Sequence, residues 1–442
     1  MKTINIQTYG CQMNDYESDR TYRLFHDQYG YTWHDDPSSS DIVLFNTCSI
    51  REKADQKAMS TIGSLAKAKK ANPSMVIAVG GCMAQIKGQE IQKRFPYVDV
   101  VFGTHQWTKL PELIFNAQDS HKATLNIDLS SWKNYNFLPF DKTDTPYAVR
   151  ENVTIQNGCN HFCTYCLVPF TRGREVSRPA EAILEEVQIL ADRGVKEINL
   201  LGQNVNAYGT DRSNEIPFAR LLEKVADING IERVRFVTSH PAVFDQDMID
   251  TIAGKKEICN DIHLPIQSGS DRILDLMERE YHIDRYRTLH DYMRKVIPDL
   301  SLRTDIIVGF PGETEEDFQM TLDAVEEFQF DQSYSFIFSP RPHTKAAKWE
   351  DQFLSREVAL ERLMRLQALQ QKIHDQHSQE YLNKEVKILV DGRAKKQSDG
   401  WVCGKTESHR TVNFEGDASL IGTLQPVIIS DAYTNSLLGQ RV

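Results

Sequence analysis

Three runs of apolar residues near the start of the chain each end in a cysteine and lead into a stretch with helical spacing. The runs are INIQTYGC, DIVLFNTC and MVIAVGGC, and they end at Cys11, Cys48 and Cys82. Continuous apolar runs that alternate with helical patterns are typical of strands buried in a parallel sheet. We therefore predict an N-terminal, Rossmann-like parallel sheet domain over residues 1–117.

A polar, irregular stretch over residues 118–146 follows, and we predict that it is a linker or an excursion. Beyond it, strand and helix patterns alternate about six times, from VTIQN to SYSFIFSP. A closed barrel of this kind has eight such units. The pattern therefore predicts an open (β/α)6 partial barrel over residues 147–377, with ligands at the C-terminal ends of its strands.

The last segment, residues 378–442, changes character. EVKILVDGR, WVCGKT, RTVNFEG and LQPVIISDAY are short β-like runs separated by Gly, Asp and Ser. Runs of this length and spacing favour a small β-barrel. The predicted fold class is thus α/β for the first two domains, followed by a small all-β domain.

Composition and charge narrow the functional classes. The chain has 442 residues and a formal charge of −11, and it contains no apolar run long enough to cross a membrane. Its first residues do not look like a secretory signal. We expect a cytoplasmic protein without a membrane partner. The net charge does not exclude a local basic patch that binds nucleic acid. In such a protein, the eight cysteines favour metal binding or reactivity over disulfides.

Three cysteines stand within eight residues: Cys159, Cys163 and Cys166, here called the middle trio. They follow the first predicted strand of the barrel, at the end where barrel active sites lie. Structural zinc and a [4Fe-4S] cluster each normally take four protein ligands. Two interpretations therefore stay open: zinc completed by His161 or a distant cysteine, or an iron–sulfur cube with one iron open to substrate or cofactor.

Cys11, Cys48 and Cys82, here called the N-terminal trio, share one local context. If their strands are parallel neighbours about 4.8 Å apart, the three thiols converge at one edge of the sheet. The helix N-termini that follow would lower the thiol pKa values. The alternative is three small buried residues at turns, but a second three-cysteine centre favours a metal site. Cys259 and Cys403 stand alone, and we expect them only to pack.

Across nearly the whole chain, and in the same order, the motifs resemble those of the radical S-adenosylmethionine methylthiotransferases. They are TYGCQMNDYES, NTCSIREKA, GGCMAQ, NGCNHFCTYCLVPFTRGRE, LLGQNVNAYG, TSHP, LPIQSGSD, RTDIIVGFPGET and SPRPHT. The last domain is similar to the family's RNA-binding TRAM domain. The N-terminal motifs favour the branch that modifies N6-dimethylallyladenosine in tRNA over those that modify threonylcarbamoyladenosine or a ribosomal protein side chain.

The resemblance implies an enzyme with two [4Fe-4S] clusters that uses two molecules of S-adenosyl-L-methionine. The middle trio would hold the cluster that cleaves the cofactor to a 5'-deoxyadenosyl radical, and the N-terminal trio an auxiliary cluster that delivers sulfur. The expected product carries a methylthio group on C2 of the adenine beside the anticodon. This C–H has no useful acidity, so no acid–base residue is expected. The non-enzyme alternatives are a zinc-containing RNA-binding protein and an iron–sulfur electron carrier.

Residues at the strand ends are expected to contact the cofactor, although an ordinary satisfied polar role is the alternative for each. They are Gln203, Asn204, Ser239, His240, Gln267, Arg303, Gly309 and Phe310. Arg303 is expected to be buried and to need a partner, which the cofactor carboxylate would supply. His161 and Tyr165 are expected to pack around the cluster.

Basic residues and an aromatic in the last domain are expected to grip the tRNA anticodon stem-loop that carries dimethylallyladenosine. They are Lys395, Lys396, Lys405, His409, Arg410 and Phe414, and a solvated surface is the alternative. A flavodoxin-type or similar electron donor and a sulfur or cluster-assembly donor are the other expected partners. His343 stands where relatives often have glycine, so we expect no positive φ there.

Overall fold

The structure, a computed structural model, describes residues 2–49, 52–129, 135–140, 145–394 and 400–442. Its strands are β1 (Thr3–Tyr9), β2 (Thr32–Trp33), β3 (Ile42–Thr47), β4 (Val76–Gly81), β5 (Val100–Phe102), β6 (Thr124–Asn126), β7 (Arg150–Thr154), β8 (Gln156–Asn157), β9 (Val176–Ser177), β10 (Glu197–Leu201), β11 (Arg233–Phe236), β12 (Asp261–His263), β13 (Ser301–Val308), β14 (Gln332–Ile337), β15 (Glu385–Arg393), β16 (Trp401–Lys405), β17 (Thr411–Glu415), β18 (Leu424–Ala432) and β19 (Leu437–Arg441).

The helices alternate with these strands through the first two domains. They are α1 (Gln12–Tyr29), α2 (Glu52–Ser64), α3 (Ala66–Ala71), α4 (Cys82–Arg94), α5 (Leu110–Ser120), α6 (Val168–Thr171), α7 (Ala180–Asp192), α8 (Phe218–Ala226), α9 (Gln246–Gly254), α10 (Asp271–Leu276), α11 (Ile283–Val296), α12 (Glu315–Phe328) and α13 (Arg356–Gln379). Within the described ranges, no helix is long and apolar enough to cross a membrane.

The N-terminal domain is a six-stranded parallel sheet in the order β2-β1-β3-β4-β5-β6. Every residue of β3 and β4 is buried, because apolar clusters cover both faces of the sheet. This explains why these strands read as continuous apolar runs. The predicted parallel sheet is confirmed.

The central domain is an open barrel of six parallel strands. Strands β7, β10 and β11 form one sheet and β12, β13 and β14 another, and a bridge between Val234 and Ile258 joins the two halves. In the part of the chain that the structure describes, β7 and β14 do not pair, so one side stays open. The predicted partial barrel is confirmed. The middle trio follows the short strand β8, which pairs with β9, rather than β7 itself.

The last domain is a closed five-stranded barrel in the order β15-β16-β17-β19-β18, as predicted. It packs against the N-terminal ends of the central strands through two arginines. Arg233 donates to the carbonyl oxygens of Lys405 and Lys387 at 2.6 and 2.8 Å. Arg235 donates to those of Glu407 and Thr406 at 2.6 and 2.8 Å. Backbone acceptors therefore fix this domain below the barrel.

A buried ionic cluster joins the N-terminal domain to the barrel. Arg20 on α1 donates to Glu186 on α7 at 2.5 Å, and Arg178 donates to the same carboxylate. The Arg20 guanidinium also lies 4.4 Å from the ring of Phe140. Phe140 and the buried Leu138 belong to the stretch that we predicted as a linker or an excursion. Residues 135–140 therefore pack against the domains that they connect. The stretch begins earlier than a linker would, because it contains the end of α5 and strand β6, which belongs to the N-terminal sheet.

Candidate active site

The N-terminal trio lies at one edge of the six-stranded sheet. Cys11 follows β1 and caps α1, Cys48 follows β3, and Cys82 begins α4 directly after β4. These strands are neighbours in the sheet, so their carboxyl ends meet. A hydrogen bond with the Cys48 thiol lowers the pKa of the Cys11 thiol to about 6, and the nearby Arg172 also lowers it.

Glycine and asparagine residues build this edge. A Cβ on Gly10 would lie 2.9 Å from Cys48 Cβ, so a larger residue would push β1 away. The Cys11 backbone N–H donates to Asn14 Oδ1 at 3.1 Å, and Asn14 Nδ2 donates to Asn46 Oδ1 at 2.7 Å. Asn46 Nδ2 donates back to the Asn14 carbonyl at 2.9 Å. The TYGCQMN and NTC motifs thus contain the asparagines that support the thiols as well as the cysteines themselves.

A buried arginine from the central domain reaches the N-terminal trio. Arg172 follows α6, yet its positive charge acts on the thiols of Cys11 and Cys82. Its Nη1 donates to Glu17 Oε1 at 2.8 Å, and the two side chains are 4% and 3% exposed. Its Nη2 is buried without a well-directed hydrogen bond to the described residues. This nitrogen is therefore available to a group bound at the trio.

A second buried arginine faces the middle trio. Arg279 Nη1 donates to Cys163 Sγ at 3.4 Å, and its Nε is buried without a partner within the described ranges. Burial, together with neighbouring thiols, raises the pKa of the Cys159 and Cys166 thiols, the latter to about 12. Such crowded, buried thiols become thiolates when a metal compensates their charge.

The surroundings of each trio suit a negatively charged metal centre. Among the residues that the structure describes, no three Cys, His, Asp or Glu side chains are arranged to hold a single metal ion. A cube with three thiolates carries negative charge, and Arg172 and Arg279 place a buried positive charge beside each trio.

Unpartnered polar atoms lie near the middle trio. Asn204 Oδ1, Ser239 Oγ and His240 Nε2 are buried and have no hydrogen-bond partner in the described chain. His240 Nδ1 accepts the Ala242 N–H at 3.2 Å, so Nε2 carries the proton. Burial holds the pKa of His240 far below its usual value, and the ring is a neutral donor. Buried polar atoms normally have partners, and the amino-acid and ribose groups of S-adenosylmethionine fit these three.

The loops that carry these atoms are held against the cysteine loop. The ring of His161, which lies within the middle trio's loop, stacks on His240 at 4.0 Å with an interplanar angle of 3°. Asn204 Nδ2 donates to Glu175 at 3.1 Å, and Asn160 donates to the other oxygen of the same carboxylate at 3.1 Å. The ends of β10 and β11 therefore border the middle trio, as the sequence predicts.

Three other predicted cofactor residues have structural roles in this arrangement. Gln203 Oε1 accepts the N–H of Gly158, which precedes the middle trio, at 2.5 Å. Gln267 is buried, has a φ of 68° and forms a backbone bridge with Ile306. Gly309 has a φ of 67°. This left-handed conformation ends β13 beside the site.

Two other predicted cofactor residues have partners within the chain. Arg303 donates to both carboxylate oxygens of Asp261 at 2.6 and 2.8 Å. A partner for its charge therefore comes from the chain itself, as in the satisfied polar role, and contact with the cofactor carboxylate stays a prediction. The Phe310 ring is fully buried beside Tyr165 and Phe338. It supports the cysteine loop, and a cofactor contact for Phe310 stays a prediction.

One residue of the predicted RNA face lies in the core of the last domain. Phe414 is fully buried in the core of the last domain because its position on β17 points inward, so its ring cannot stack on a base. Lys405, His409 and Arg410 lie around the turn between β16 and β17, which faces the rest of the chain. Arg410, for example, donates to Ser378 on α13 at 2.8 Å. The prediction for Phe414 is wrong, those for Lys405, His409 and Arg410 stay predictions, and Lys395 and Lys396 lie outside the described residues.

His343 adopts the conformation that its side chain was expected to prevent. Its φ is 70°, and its ring lies 6.1 Å from that of Phe170. Histidine is among the non-glycine residues that enter the left-handed region most often. The expectation for this turn is therefore wrong.

Sequence reasoning missed the residues that serve the cysteines from a distance. Arg172 lies inside the motif TRGRE and Glu17 inside TYGCQMNDYES, but no local pattern pairs them. Arg279 comes from a loop more than a hundred residues beyond Cys163. Only the folded chain brings these charges to the thiols.

The fold and the paired cysteine sites define a radical S-adenosylmethionine enzyme with an added domain at each end. The Radical SAM superfamily model matches residues 153–325, Uncharacterized protein family UPF0004 matches residues 3–103, and the TRAM domain model matches residues 379–442. Membership in this superfamily implies S-adenosylmethionine and a [4Fe-4S] cluster.

Two solved structures share the fold at low identity. The radical S-adenosylmethionine methyltransferase TsrM from Kitasatospora setae superposes with a TM-score of 0.59 and 14% identity, covering 78% of this chain and 75% of that chain. The cobalamin-dependent S-adenosylmethionine radical enzyme OxsB gives a TM-score of 0.53 and 12% identity, covering 82% and 56%. At these identities the likeness concerns the fold alone.

Curated relatives match this chain over its whole length. Proteins named tRNA-2-methylthio-N(6)-dimethylallyladenosine synthase are 45% identical in Paraburkholderia xenovorans, 44% in Photobacterium profundum and 44% in Francisella tularensis. The alignments cover 100% of this chain and 97%, 92% and 99% of the relatives. This chain belongs to the tRNA-2-methylthio-N(6)-dimethylallyladenosine synthase family.

Proposed function

We propose that this chain adds a methylthio group to C2 of the adenine of N6-dimethylallyladenosine next to the anticodon in tRNA. Full-length relatives carry the name of that activity. Within the chain, one observation carries the proposal. Two three-cysteine sites are each faced by a buried arginine, and Arg172 extends from the loop of one site to the other.

We assign one [4Fe-4S] cluster to each trio, with S-adenosylmethionine bound at the middle trio. When bound, these groups supply radical cleavage of an unactivated C–H bond and the transfer of sulfur and methyl, with two S-adenosylmethionine molecules used for each product. The chain itself binds and orients them. The site is shielded from water and offers the cofactor an acceptor on Asn204, a hydroxyl on Ser239 and a donor on His240.

The rest of the chain sets the positions of these groups. Arg172 and Arg279 balance the negative charge of thiolates that burial would otherwise disfavour. The Arg20–Glu186–Arg178 cluster holds the N-terminal sheet over the barrel. The Arg172–Glu17 pair and the Arg20–Glu186–Arg178 cluster are both buried at the domain interface. This interface therefore fixes the distance between the two trios.

Analysis of tRNA nucleosides tests the substrate. A strain that lacks the gene should lose the 2-methylthio mark on dimethylallyladenosine, and the wild-type chain should restore it. Variants in which either trio is changed to alanine should not restore the mark. Loss of the mark on threonylcarbamoyladenosine, or of a methylthio group on a ribosomal protein, would instead assign the chain to the alternative substrates.

Iron analysis tests the number of clusters. The anaerobically purified chain should hold about eight irons, and each triple cysteine-to-alanine variant about four. Mössbauer spectra should show one remaining cube in each variant. Zinc in place of iron would favour the zinc-containing RNA-binding alternative. Iron without reductive cleavage of S-adenosylmethionine would favour the electron carrier.

The tRNA contact is proposed for the last domain. Lys395 and Lys396 stay candidates, and changing both to Glu should weaken tRNA binding in a salt-dependent way. A cleft of about 600 Å³ lies between α13 and the turn from β18 to β19. It contains Tyr433, which is 57% exposed, beside Gln379 and Asn435. An exposed aromatic among amides suits a single-stranded base.

The remaining partners follow from the same chemistry. Reductive cleavage needs an electron, so we propose a flavodoxin-type or similar donor. The auxiliary site gives up sulfur in each turnover, so we also propose a sulfur or cluster-assembly donor that reaches the N-terminal trio. Cys11 is the exposed member of that trio. We place the reaction in the cytoplasm, where the tRNA is.

A further inference from the structure

Strand register identifies the inner face of the open barrel. On β13, Ile306 packs into the main core with the helices, so its neighbours Asp305 and Ile307 face inward. In the parallel register, Asp305 pairs with Tyr334 and Ile307 with Phe336. Residues paired across parallel strands share a face, so both aromatic rings of β14 lie on the inner wall.

This inner wall is polar and open, whereas closed barrels fill their interior with branched apolar side chains. It includes Asn152, Asn199, His263 and Asp305, and Asn199 Oδ1 is buried without a partner in the described residues. Strand β14 lies at the unpaired edge. As a result Tyr334 and Phe336 remain 37% and 38% exposed. Two exposed aromatics side by side on an inner wall indicate a binding surface.

Asp305 has one carboxylate oxygen that accepts no hydrogen bond from the described residues. His263 Nδ1 accepts the Thr238 N–H at 3.3 Å, so the ring proton lies on Nε2, which is 3.2 Å from Asp305 Oδ1. Asp305 Oδ1 therefore accepts a hydrogen bond from His263. Its Oδ2 accepts no hydrogen bond from the described part of the chain, and the side chain is 28% exposed. A free carboxylate oxygen thus lies beside Tyr334.

The same wall continues to the middle trio. Phe338 lies two residues beyond Phe336, and its ring centroid is 5.3 Å from that of Phe310. The ring centroid of Phe310 is in turn 6.3 Å from that of Tyr165. Tyr165 lies inside the loop of the middle trio. A ligand on the wall would therefore lie on the side of the barrel where the radical chemistry is proposed.

We propose that Tyr334, Asp305 and Phe336 form the site that reads the N6-alkylated adenine, an inference that rests on the proposed function. Tyr334 stacks on the base, and Asp305 Oδ2 accepts the hydrogen of the substituted N6. Phe336 and Ile307 pack against the apolar dimethylallyl group. A threonylcarbamoyl group carries a carboxylate, which the charge of Asp305 repels. The wall would therefore select an apolar N6 substituent over an anionic one.

The test uses the cluster-loaded enzyme and three synthetic anticodon stem-loop RNAs. They carry dimethylallyladenosine, adenosine or threonylcarbamoyladenosine at the target position. Tyr334→Ala should weaken binding of the first RNA about tenfold, and Tyr334→Phe should retain it. Phe336→Ala should abolish the preference for the first RNA over the second. Asp305→Asn should raise affinity for the third several-fold. Tyr29→Ala, at a position also 37% exposed, should change nothing.

Affinity for S-adenosylmethionine is measured in the same variants. If Tyr334→Ala and Phe336→Ala weaken that affinity as much as RNA binding, the wall belongs to the cofactor and the inference is wrong. It is equally wrong if all variants keep the wild-type ranking of the three RNAs. Methylthio product from the wild type is assayed separately by mass spectrometry. The proposed function can therefore stand when the wall fails, and its own failure appears as absent product.

Discussion

Arg172 and Glu17 form a buried ion pair across the boundary between the barrel and the N-terminal domain, at 2.8 Å. Asn157 Oδ1 accepts from the same Arg172 nitrogen at 3.1 Å, and the Arg172 carbonyl accepts from His105 Nε2 at 2.8 Å. The guanidinium is thereby fixed beside the N-terminal trio although the chain segment that carries it begins at the middle trio. One residue thus couples the positions of the two cysteine sites.

Changing Arg172 to Gln should empty the auxiliary site. The change leaves Glu17 charged and buried, which costs roughly 3–5 kcal/mol, and it removes the cation that faces the thiols of Cys11 and Cys82. Iron should fall from about eight to about four per chain, as measured after anaerobic reconstitution. The EPR signal of the middle cluster should persist.

A double variant separates the two effects of Arg172. Arg172→Gln combined with Glu17→Gln removes both charges, so thermal stability should return while iron stays low. Full iron in the double variant would mean that Arg172 serves only as the partner of Glu17.

His240 should donate a hydrogen bond to S-adenosylmethionine. His240→Phe keeps the aromatic stack on His161 but removes the unpartnered Nε2 donor. Loss of one buried hydrogen bond costs about 1–1.5 kcal/mol, or about tenfold in Kd. Equilibrium dialysis of the cofactor measures this. His282→Phe, at a side chain 57% exposed, is the control, and equal Kd values for the two variants would contradict the assignment.

Glu151 on β7 should make stability depend on pH. Burial raises the pKa of its carboxyl from 4.5 to about 6, so the folded chain binds this proton more tightly than the unfolded chain. Ionised Glu151 therefore destabilises the fold by about 2 kcal/mol above pH 6, and the penalty disappears as pH falls towards 4.5.

Glu151→Gln removes this charge and keeps the acceptor for the Ala148 N–H, which lies 2.9 Å from Glu151 Oε1. The free energy of unfolding of the variant should exceed that of the wild type at pH 7 and equal it near pH 4.5. Hydrogen exchange of the β7 amides measures this difference. A gain of the same size at both pH values would contradict the shifted pKa.

Arg233 should hold the last domain in place. Arg233→Ala removes two donors to backbone carbonyls of that domain, so the segment between α13 and β15 should open more often. Limited proteolysis near Asn383 should become several-fold faster. Arg220→Ala removes an arginine from an exposed ion pair on α8 and should leave the rate unchanged. Equal rates would mean that the hydrogen bonds of Arg233 do not hold the domain in place.

Local patterns predicted most of the architecture because each strand–helix unit is encoded by neighbouring residues. The runs that end at Cys11, Cys48 and Cys82 are strands of one parallel sheet, and the family resemblance is confirmed by full-length relatives. One RNA contact was predicted wrongly for a different reason. Composition cannot tell which side of β17 faces a core, so Phe414 was mistaken for an exposed ring.

The sequence by itself determined the cysteine spacing, the alternating units and hence the family, since these depend on short-range periodicity. Only the tertiary structure decided the long-range pairs. Arg303 pairs with Asp261, Arg172 with Glu17 and Arg279 with Cys163. A buried charge takes the nearest available partner in space, and that partner depends on how the domains pack rather than on neighbours in the chain.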